Sequence, residues 1–231
     1  MQYAFTPAAM PATAPIVVIF HGHKYSTRPT AFMDARYNVI APLDNFGPES
    51  CGSWWLGEAG DYFVVDMIRK IVDQARAETG SSELFTWGSS MGGYAALLHA
   101  MRLEACAAYA HIPQTLLIGS RYGAGGMGRY FAAALGPKPD PAYNDLCLMI
   151  ERVVEAGSAL PLFFLSANRF DHPNYLEEQV LRFVTQLREN DANFALQIHP
   201  VHGHALHLSL RATIEAMVET YRTVTRDAPT S

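Results

Sequence analysis

Short apolar runs alternate with longer amphipathic stretches along the chain. The apolar runs predict β-strands over residues 16–20, 37–41, 84–87, 105–110, 160–166 and 194–199. The amphipathic stretches predict helices over residues 62–79, 92–103, 145–156, 175–189 and 206–226. Because the apolar runs are short and continuous, we expect both faces of the strands to be buried, as in a parallel sheet. The alternation of strand and helix then predicts an α/β fold with a doubly wound, mostly parallel sheet.

Residues 119–143 interrupt this alternation. Glycines are frequent over 119–128, and prolines recur over 136–141. Such a density of helix breakers disfavours a large, stable lid. We therefore predict one domain over residues 1–231, in which 119–143 forms at most a small cap over the functional site.

The segment 84–93 carries the most specific chemical signal. Gly88, Ser90 and Gly92 form the pattern Gly-x-Ser-x-Gly between a predicted strand and a predicted helix. That context is typical of a nucleophile elbow, a strained turn with the serine hydroxyl at its apex. Side chains at the two glycine positions are expected to collide with the neighbouring strand and helix. The spacing selects Ser90 rather than Ser89 as the nucleophile, and the alternative is a chance Gly/Ser-rich turn.

A serine nucleophile needs a base, and the base needs an acidic group that orients it. With a nucleophile elbow these groups follow in the order serine, acid, histidine. Asp171 comes just after the predicted strand 160–166 and is the predicted acid. The alternative is that Asp171 only caps the following helix. Asn168, the nearest other polar candidate, carries no charge that could stabilise an imidazolium.

Three histidines that follow the last predicted strand compete for the role of base. His204 lies in a Gly-His pair just before the last predicted helix, and we predict that it is the base. His202 is the second candidate. His207 is expected to lie within the helix predicted over residues 206–226.

The segment His21-Gly22-His23 follows the first predicted strand directly. We expect a loop there that supplies an oxyanion donor, the backbone N–H of His23, while the backbone N–H of Met91 supplies another. The side chain of His23 then has no catalytic part. His-Gly-His occurs twice, and His-x-His spacing can present two zinc ligands. Both copies are already explained by this chemistry and lack a carboxylate at the usual spacing, so we predict no metal and no cofactor.

Aromatic side chains near the predicted site are candidates for a substrate pocket. These are Trp54, Trp55, Tyr122 and Phe170. The alternative is that they belong to the core, where aromatic side chains more often lie.

Composition bears on which partners the protein binds and in which cellular compartment it lies. The net charge of −5 and a pI near 6.0 argue against nucleic acid, and no cluster of Lys and Arg marks a membrane surface. The run 16–20 is far too short to span a bilayer, and residues 1–15 do not have the pattern of a signal peptide. The 3 cysteines are odd in number and irregularly spaced. They favour reduced thiols and a cytoplasmic location.

With His21-Gly22, the elbow, Asp171 and Gly203-His204 in this order, the chain resembles the α/β-hydrolase superfamily. It resembles a minimal member with a small cap or none, because the antiparallel strands that usually come first are missing or reduced to residues 2–6. The stretches 53–57 and 112–114 and the elbow are similar to hydrolase-like proteins associated with export of bacterial capsular polysaccharide and glycoproteins. Those relatives imply action on acyl groups of sugars or an accessory role.

The sequence therefore predicts a serine esterase that cleaves a small-molecule carboxylic ester, with a short acyl chain, through an acyl-enzyme. One alternative is an acyltransferase or thioesterase that uses the same triad. A second alternative is a non-catalytic accessory protein in polysaccharide or glycoprotein handling.

Overall fold

A computed structural model describes residues 1–24 and 27–226 of the chain. The predicted domain boundary at 231 and residues 25–26 therefore lie outside the described residues. The strands are β1 (Gln2–Thr6), β2 (Ile16–Phe20), β3 (Asn38–Leu43), β4 (Leu84–Ser89), β5 (Ala107–His111), β6 (Leu162–Phe170) and β7 (Phe194–His202). The α-helices are α1 (Phe63–Thr79), α2 (Met91–Arg102), α3 (Gly128–Leu135), α4 (Pro141–Asn144), α5 (Leu146–Glu155), α6 (Arg182–Glu189) and α7 (Leu210–Arg226).

The strands form one seven-stranded sheet in the order β1-β3-β2-β4-β5-β6-β7. Strand β1 pairs with β3 in the antiparallel direction, and every other pairing is parallel. The antiparallel part that the family resemblance led us to expect is thus the single strand β1. The doubly wound, mostly parallel architecture predicted from the sequence is confirmed.

Hydrophobic packing covers both faces of the sheet. Ile16, Val18 and Phe20 of β2 point into a large cluster that also contains buried residues of α1, α2, α3 and α5. The alternate residues Val17 and Ile19 point to the opposite face, where α7 packs. Successive side chains of a strand face opposite ways, so a strand that is buried on both faces must be apolar at every position. This explains the continuous apolar runs.

The segment 119–143 contains a π-helical turn, Gly123–Met127, followed by α3 and α4. Helix α3 buries Tyr130 and Phe131 in the large cluster. The segment is therefore tied to the core at its centre, and its role as a small cap stays a prediction. Among the helices of the described residues, none has the length and hydrophobicity that a membrane span requires.

Tertiary contacts shift two predicted boundaries. Strand β6 continues to Phe170, beyond the predicted end at 166, because β7 pairs with it over that length. The last helix begins at Leu210 rather than at 206, so the prediction that His207 lies in the helix is wrong. The physical reason is that the carbonyl of Ala205 accepts hydrogen bonds from Asn168 and His111 and is not free for a helical turn.

Candidate active site

Ser90 occupies a sharp turn between β4 and α2. Its backbone has φ 58° and ψ −120°, an unfavourable conformation for a residue with a side chain. Such a conformation costs about 1–3 kcal/mol and persists only where the surroundings hold it. The backbone N–H of Ser90 donates to the carbonyl of His111 at 2.9 Å, and the N–H of Tyr94 donates to the carbonyl of Ser90 at 3.0 Å. The strained turn is thus held from both sides.

The two glycines of the elbow are required by space. A Cβ atom at Gly88 would lie 1.9 Å from the carbonyl oxygen of Gly92. One at Gly92 would lie 2.1 Å from the carbonyl oxygen of Phe20 in β2. Both clashes are with backbone that has no room to move, so any larger residue would displace the turn. This is the steric conflict that the sequence pattern predicts.

The structure brings Ser90, His204 and Asp171 together. His204 Nε2 lies 2.7 Å from Ser90 Oγ, and His204 Nδ1 lies 2.9 Å from Asp171 Oδ2. The Asp171 side chain is buried, and its Oδ1 also accepts the backbone N–H of His172 at 2.7 Å. His202 lies elsewhere, with its ring stacked on Phe170 at 4.5 Å. Among the described residues, His204 is the one candidate histidine that contacts Ser90.

The loop that carries His204 is anchored by residues for which sequence reasoning found no role. The buried Asn168 donates from Nδ2 to the carbonyls of Gly203 at 2.9 Å and Ala205 at 3.0 Å. His111 Nε2 lies 3.3 Å from the same Ala205 carbonyl, and its Nδ1 lies 3.0 Å from Ser166 Oγ. Burial lowers the pKa of His111 to about 4, so the ring stays neutral at ordinary pH and donates from one nitrogen only. The only sequence signal was the position of Asn168 at the end of a strand.

Helix α2 starts directly after Ser90, the predicted nucleophile. Its first N–H, that of Met91, has no acceptor within the helix and lies at the positive end of the helix dipole. The loop of Gly22 runs beside the elbow, since a Cβ at Gly22 would lie 3.5 Å from the carbonyl oxygen of Ser89. The oxyanion roles of the Met91 and His23 amides remain predictions.

The side chain of His21 is hydrogen-bonded, whereas that of His23 is packed among aromatic rings. His21 Nε2 accepts the backbone N–H of Asp44 at 2.9 Å, so its proton is on Nδ1, which lies 2.8 Å from the carbonyl of Gly22. Burial lowers the pKa of His21 to about 4. The ring of His23 packs against Tyr130 at 4.6 Å, and its pKa is also lowered by burial.

The structure corrects the predicted aromatic pocket. Trp54 and Trp55 are 1% and 0% exposed, so they belong to the core and cannot line a substrate pocket. The prediction failed because a Ser-Trp-Trp stretch in a loop gives no sign that the loop folds inward. Phe170 is 47% exposed and stacks on His202, and it does not line the cavity beside Tyr122.

Tyr122 lies beside His204, near the predicted site. Its ring stacks on that of His204 with centroids 5.5 Å apart. It lines a cavity of about 350 Å³ together with Arg121, Met127 and His172. Burial raises the pKa of Tyr122 to about 12, so its hydroxyl stays protonated. Two residues that line the cavity, Tyr122 and His172, contact the ring of His204, so this cavity is the candidate substrate pocket.

One group of possible metal ligands exists within the described residues. Atoms of Asp171, His172 and His204 lie within 4.8 Å of one another. An ion held there would take Asp171 and His204 out of their mutual hydrogen bond. The His-Gly-His copy at 21–23 is not part of this group.

No protein-family model matches the sequence, and no curated protein matches it. Solved structures do match. FphF, a fluorophosphonate-binding serine hydrolase of Staphylococcus aureus, is 14% identical with a TM-score of 0.67 and covers 95% of this chain and 98% of its own. The capsule O-acetyltransferase of Neisseria meningitidis serogroup A is 15% identical with a TM-score of 0.66, over 97% of this chain and 91% of its own.

A third match is the Gap123 glycosylation-associated protein complex of Streptococcus agalactiae. It is 17% identical with a TM-score of 0.66, and it covers 98% of this chain but 44% of the other. At these identities the likenesses concern the fold. The seven-stranded, mostly parallel sheet and these likenesses show that the chain has the α/β-hydrolase fold.

Proposed function

We propose that the protein is a serine hydrolase that cleaves carboxylic esters with short acyl groups. The observation that carries the proposal is the contact of His204 Nε2 with Ser90 Oγ at 2.7 Å, with Asp171 at 2.9 Å on the other ring nitrogen. These distances lie within the range that proton transfer and base orientation require.

The proposed reaction starts when a lone pair of Ser90 Oγ attacks the ester carbonyl carbon. The Oγ–H proton passes to His204 Nε2, and the carbonyl π electrons move to the oxygen. The amides of Met91 and His23 are the proposed donors to this oxyanion. Asp171 keeps the proton of the neutral ring on Nδ1 and stabilises the imidazolium. His204 then returns its proton to the departing alcohol, and water releases the acid from the acyl-enzyme by the same steps.

Acyl transfer is the second candidate. The likeness to a capsule O-acetyltransferase extends over nearly the whole of both chains. Transfer uses the same acyl-enzyme, with an alcohol in place of water in the second half. Addition of sugar or polyol acceptors during ester turnover separates the two, because a transferase forms the new ester in excess over free acid. Thioester hydrolysis is tested in the same way with thioester substrates.

The decisive experiment compares wild type, Ser90→Ala and the neighbour Ser89→Ala with p-nitrophenyl acetate. Loss of the nucleophile is expected to lower kcat by about 10⁴- to 10⁶-fold, as in other triad enzymes. Ser89→Ala, one residue away, should retain most of the activity. Wild-type turnover in a clean preparation of Ser90→Ala contradicts the proposal. A wild type that neither turns over esters nor reacts with a fluorophosphonate supports the accessory role instead.

We further propose a cytoplasmic location. The thiols of Cys51, Cys106 and Cys147 are free, which supports a reducing compartment. Recovery of the protein from a membrane or extracellular fraction contradicts it.

A further inference from the structure

Gln114 is a fully buried polar residue that contacts the nucleophile. It follows β5 in the chain and is 0% exposed. Its Nε2 lies 3.2 Å from Ser90 Oγ and 2.8 Å from the hydroxyl of Tyr175, and its Oε1 lies 3.2 Å from Trp54 Nε1. An amide buried this completely needs partners for each of its polar atoms, and these contacts supply them.

The orientation of this amide follows from Trp54. An indole nitrogen can only donate, so the Gln114 atom that faces it must be the carbonyl oxygen. The amide nitrogen therefore faces Ser90 and Tyr175. Rotating the amide by half a turn would set its NH₂ against the indole N–H and leave two buried donors facing each other. Trp54 thus fixes which end of Gln114 meets the nucleophile.

Tyr175 uses one of the two amide protons. Its hydroxyl donates its single proton to the carbonyl of Ile112 at 2.8 Å, so toward Gln114 it can only accept. Burial raises the pKa of Tyr175 well above its usual value, and the proton is retained at ordinary pH. One N–H of Gln114 remains. The Gln114 amide nitrogen lies 3.2 Å from Ser90 Oγ and 3.5 Å from His204 Nε2, so Ser90 is the nearer acceptor. His204 Nε2 also accepts the hydroxyl proton of Ser90 and has no lone pair left for Gln114.

We infer that Gln114 is a catalytic residue of the proposed reaction, which donates its remaining N–H to Ser90 Oγ. A hydroxyl has one proton and two lone pairs. With one lone pair held by Gln114, the proton is aimed at His204 Nε2 and the second lone pair is left to attack. As the proton leaves, negative charge builds on Oγ, and a hydrogen bond to an ionised acceptor is about twice as strong as a neutral one. Trp54 and Tyr175 act through Gln114 as positioning residues.

The inference rests on the proposed function, and the test uses the rate at which a fluorophosphonate probe modifies Ser90 in the full chain. Gln114→Met keeps the length of the side chain and removes the donor. We expect its modification rate to fall by about 10- to 100-fold, near the low end of what loss of a donor to a reacting oxygen costs. Thermal unfolding of each variant establishes the folded fraction, to which rates are normalised.

Gln114→Glu supplies a readout that a merely structural role would not move. It keeps an oxygen for Trp54 but, when ionised, presents an acceptor to Ser90, which draws the hydroxyl proton away from His204. When protonated, it can donate again. The ratio of the wild-type rate to the Gln114→Glu rate should therefore rise with pH, whereas the ratio to the Gln114→Met rate should stay flat. Tyr175→Phe, which leaves the contact between Trp54 and Gln114, should cost only a few-fold.

The outcomes separate the two proposals. A wild type that the probe does not modify at Ser90 overturns the proposed function and this inference together. A modified wild type with both Gln114 variants within twofold of its rate overturns the inference alone. Equal losses in both variants that are independent of pH, or losses that disappear on normalisation to the folded fraction, also overturn it, because they describe a packing role.

Discussion

Removal of Asn168 should separate positioning of His204, the proposed base, from general stability. Its amide nitrogen donates to the carbonyls of Gly203 and Ala205, which flank His204 on both sides. Asn168→Ala deletes both hydrogen bonds. The loop then keeps the contact of His111 with the Ala205 carbonyl at 3.3 Å and the hydrogen bond from the backbone N–H of Gly203 to the carbonyl of Phe170 at 2.8 Å. The side chain does not touch Ser90 or Asp171, so any effect on the reaction must pass through the position of His204.

The magnitude follows from these contacts. Each neutral hydrogen bond contributes about 1 kcal/mol net, so the loss of both should lower the free energy of unfolding by roughly 2 kcal/mol. A displacement of about 1 Å at a catalytic group can cost around 100-fold in rate. Because the Asp171 contact still restrains the ring, we expect kcat/KM to fall by about 10- to 100-fold, while KM changes little.

A matched control exists at the opposite end of the sheet. Asn38 is also buried, and its Nδ2 donates to two carbonyls, those of Pro11 and Ala14, each at 2.9 Å. Asn38 begins β3, whereas the catalytic groups follow the carboxyl ends of the strands. Asn38→Ala should lower the free energy of unfolding by a similar or larger amount and leave kcat/KM within about twofold, since the changes are far apart and independent.

The assay is ester turnover together with urea unfolding for wild type and both variants. If Asn168→Ala is destabilised but keeps wild-type kcat/KM, the loop does not need these hydrogen bonds to position His204. If Asn38→Ala loses as much activity as Asn168→Ala, the loss reports general loosening of the fold. Either result refutes the reasoning.

Further predictions concern the base, buried histidines, metals and chain length. His204→Ala should lose as much activity as Ser90→Ala, while His202→Ala stays near wild type. The wild-type kcat/KM should fall toward acid pH, because a protonated imidazole cannot accept the Ser90 proton. A profile that is flat from about pH 5 to 9 contradicts a histidine base. Burial lowers the pKa of His99 to about 3. The unfolded chain therefore takes up a proton there below about pH 6.5 that the folded chain refuses, so stability should fall as pH drops toward 4, and His99→Phe should flatten urea-measured stability against pH by up to about 1.4 kcal/mol per unit. EDTA should leave kcat/KM unchanged, and activity lost on chelation and restored by zinc contradicts this. With only a small cap over the site, the acyl pocket should be short and open, so the rise in kcat/KM of about 0.8 kcal/mol per buried methylene should stop near butyryl esters. A continued rise to palmitoyl esters contradicts this prediction.

The sequence alone was enough for features that depend on near neighbours in the chain. The strained turn at Ser90 is one, because a strand, a turn and a helix follow within ten residues and backbone contacts leave no room for side chains at Gly88 and Gly92. The order of strands and helices is another, because a strand that is buried on both faces of the sheet appears in the sequence as a continuous apolar run. The pairing of Ser90 with His204 and Asp171 rests on chain order, which reflects the order in which strands deliver their ends to one edge of the sheet.

Tertiary structure decided whatever depends on contacts between distant segments. Trp54 and Trp55 look like pocket residues in a loop, and only the packing of that loop against β2 and α3 shows them to be core. Residues 206–209 have a helical pattern, yet hydrogen bonds from Asn168 and His111 hold the chain just before them out of the helix. The contact of Gln114 with Ser90 joins residues that no local pattern connects. A hydrogen bond across the fold leaves no periodicity in the sequence, because only the folded backbone brings its two ends within 3 Å of each other.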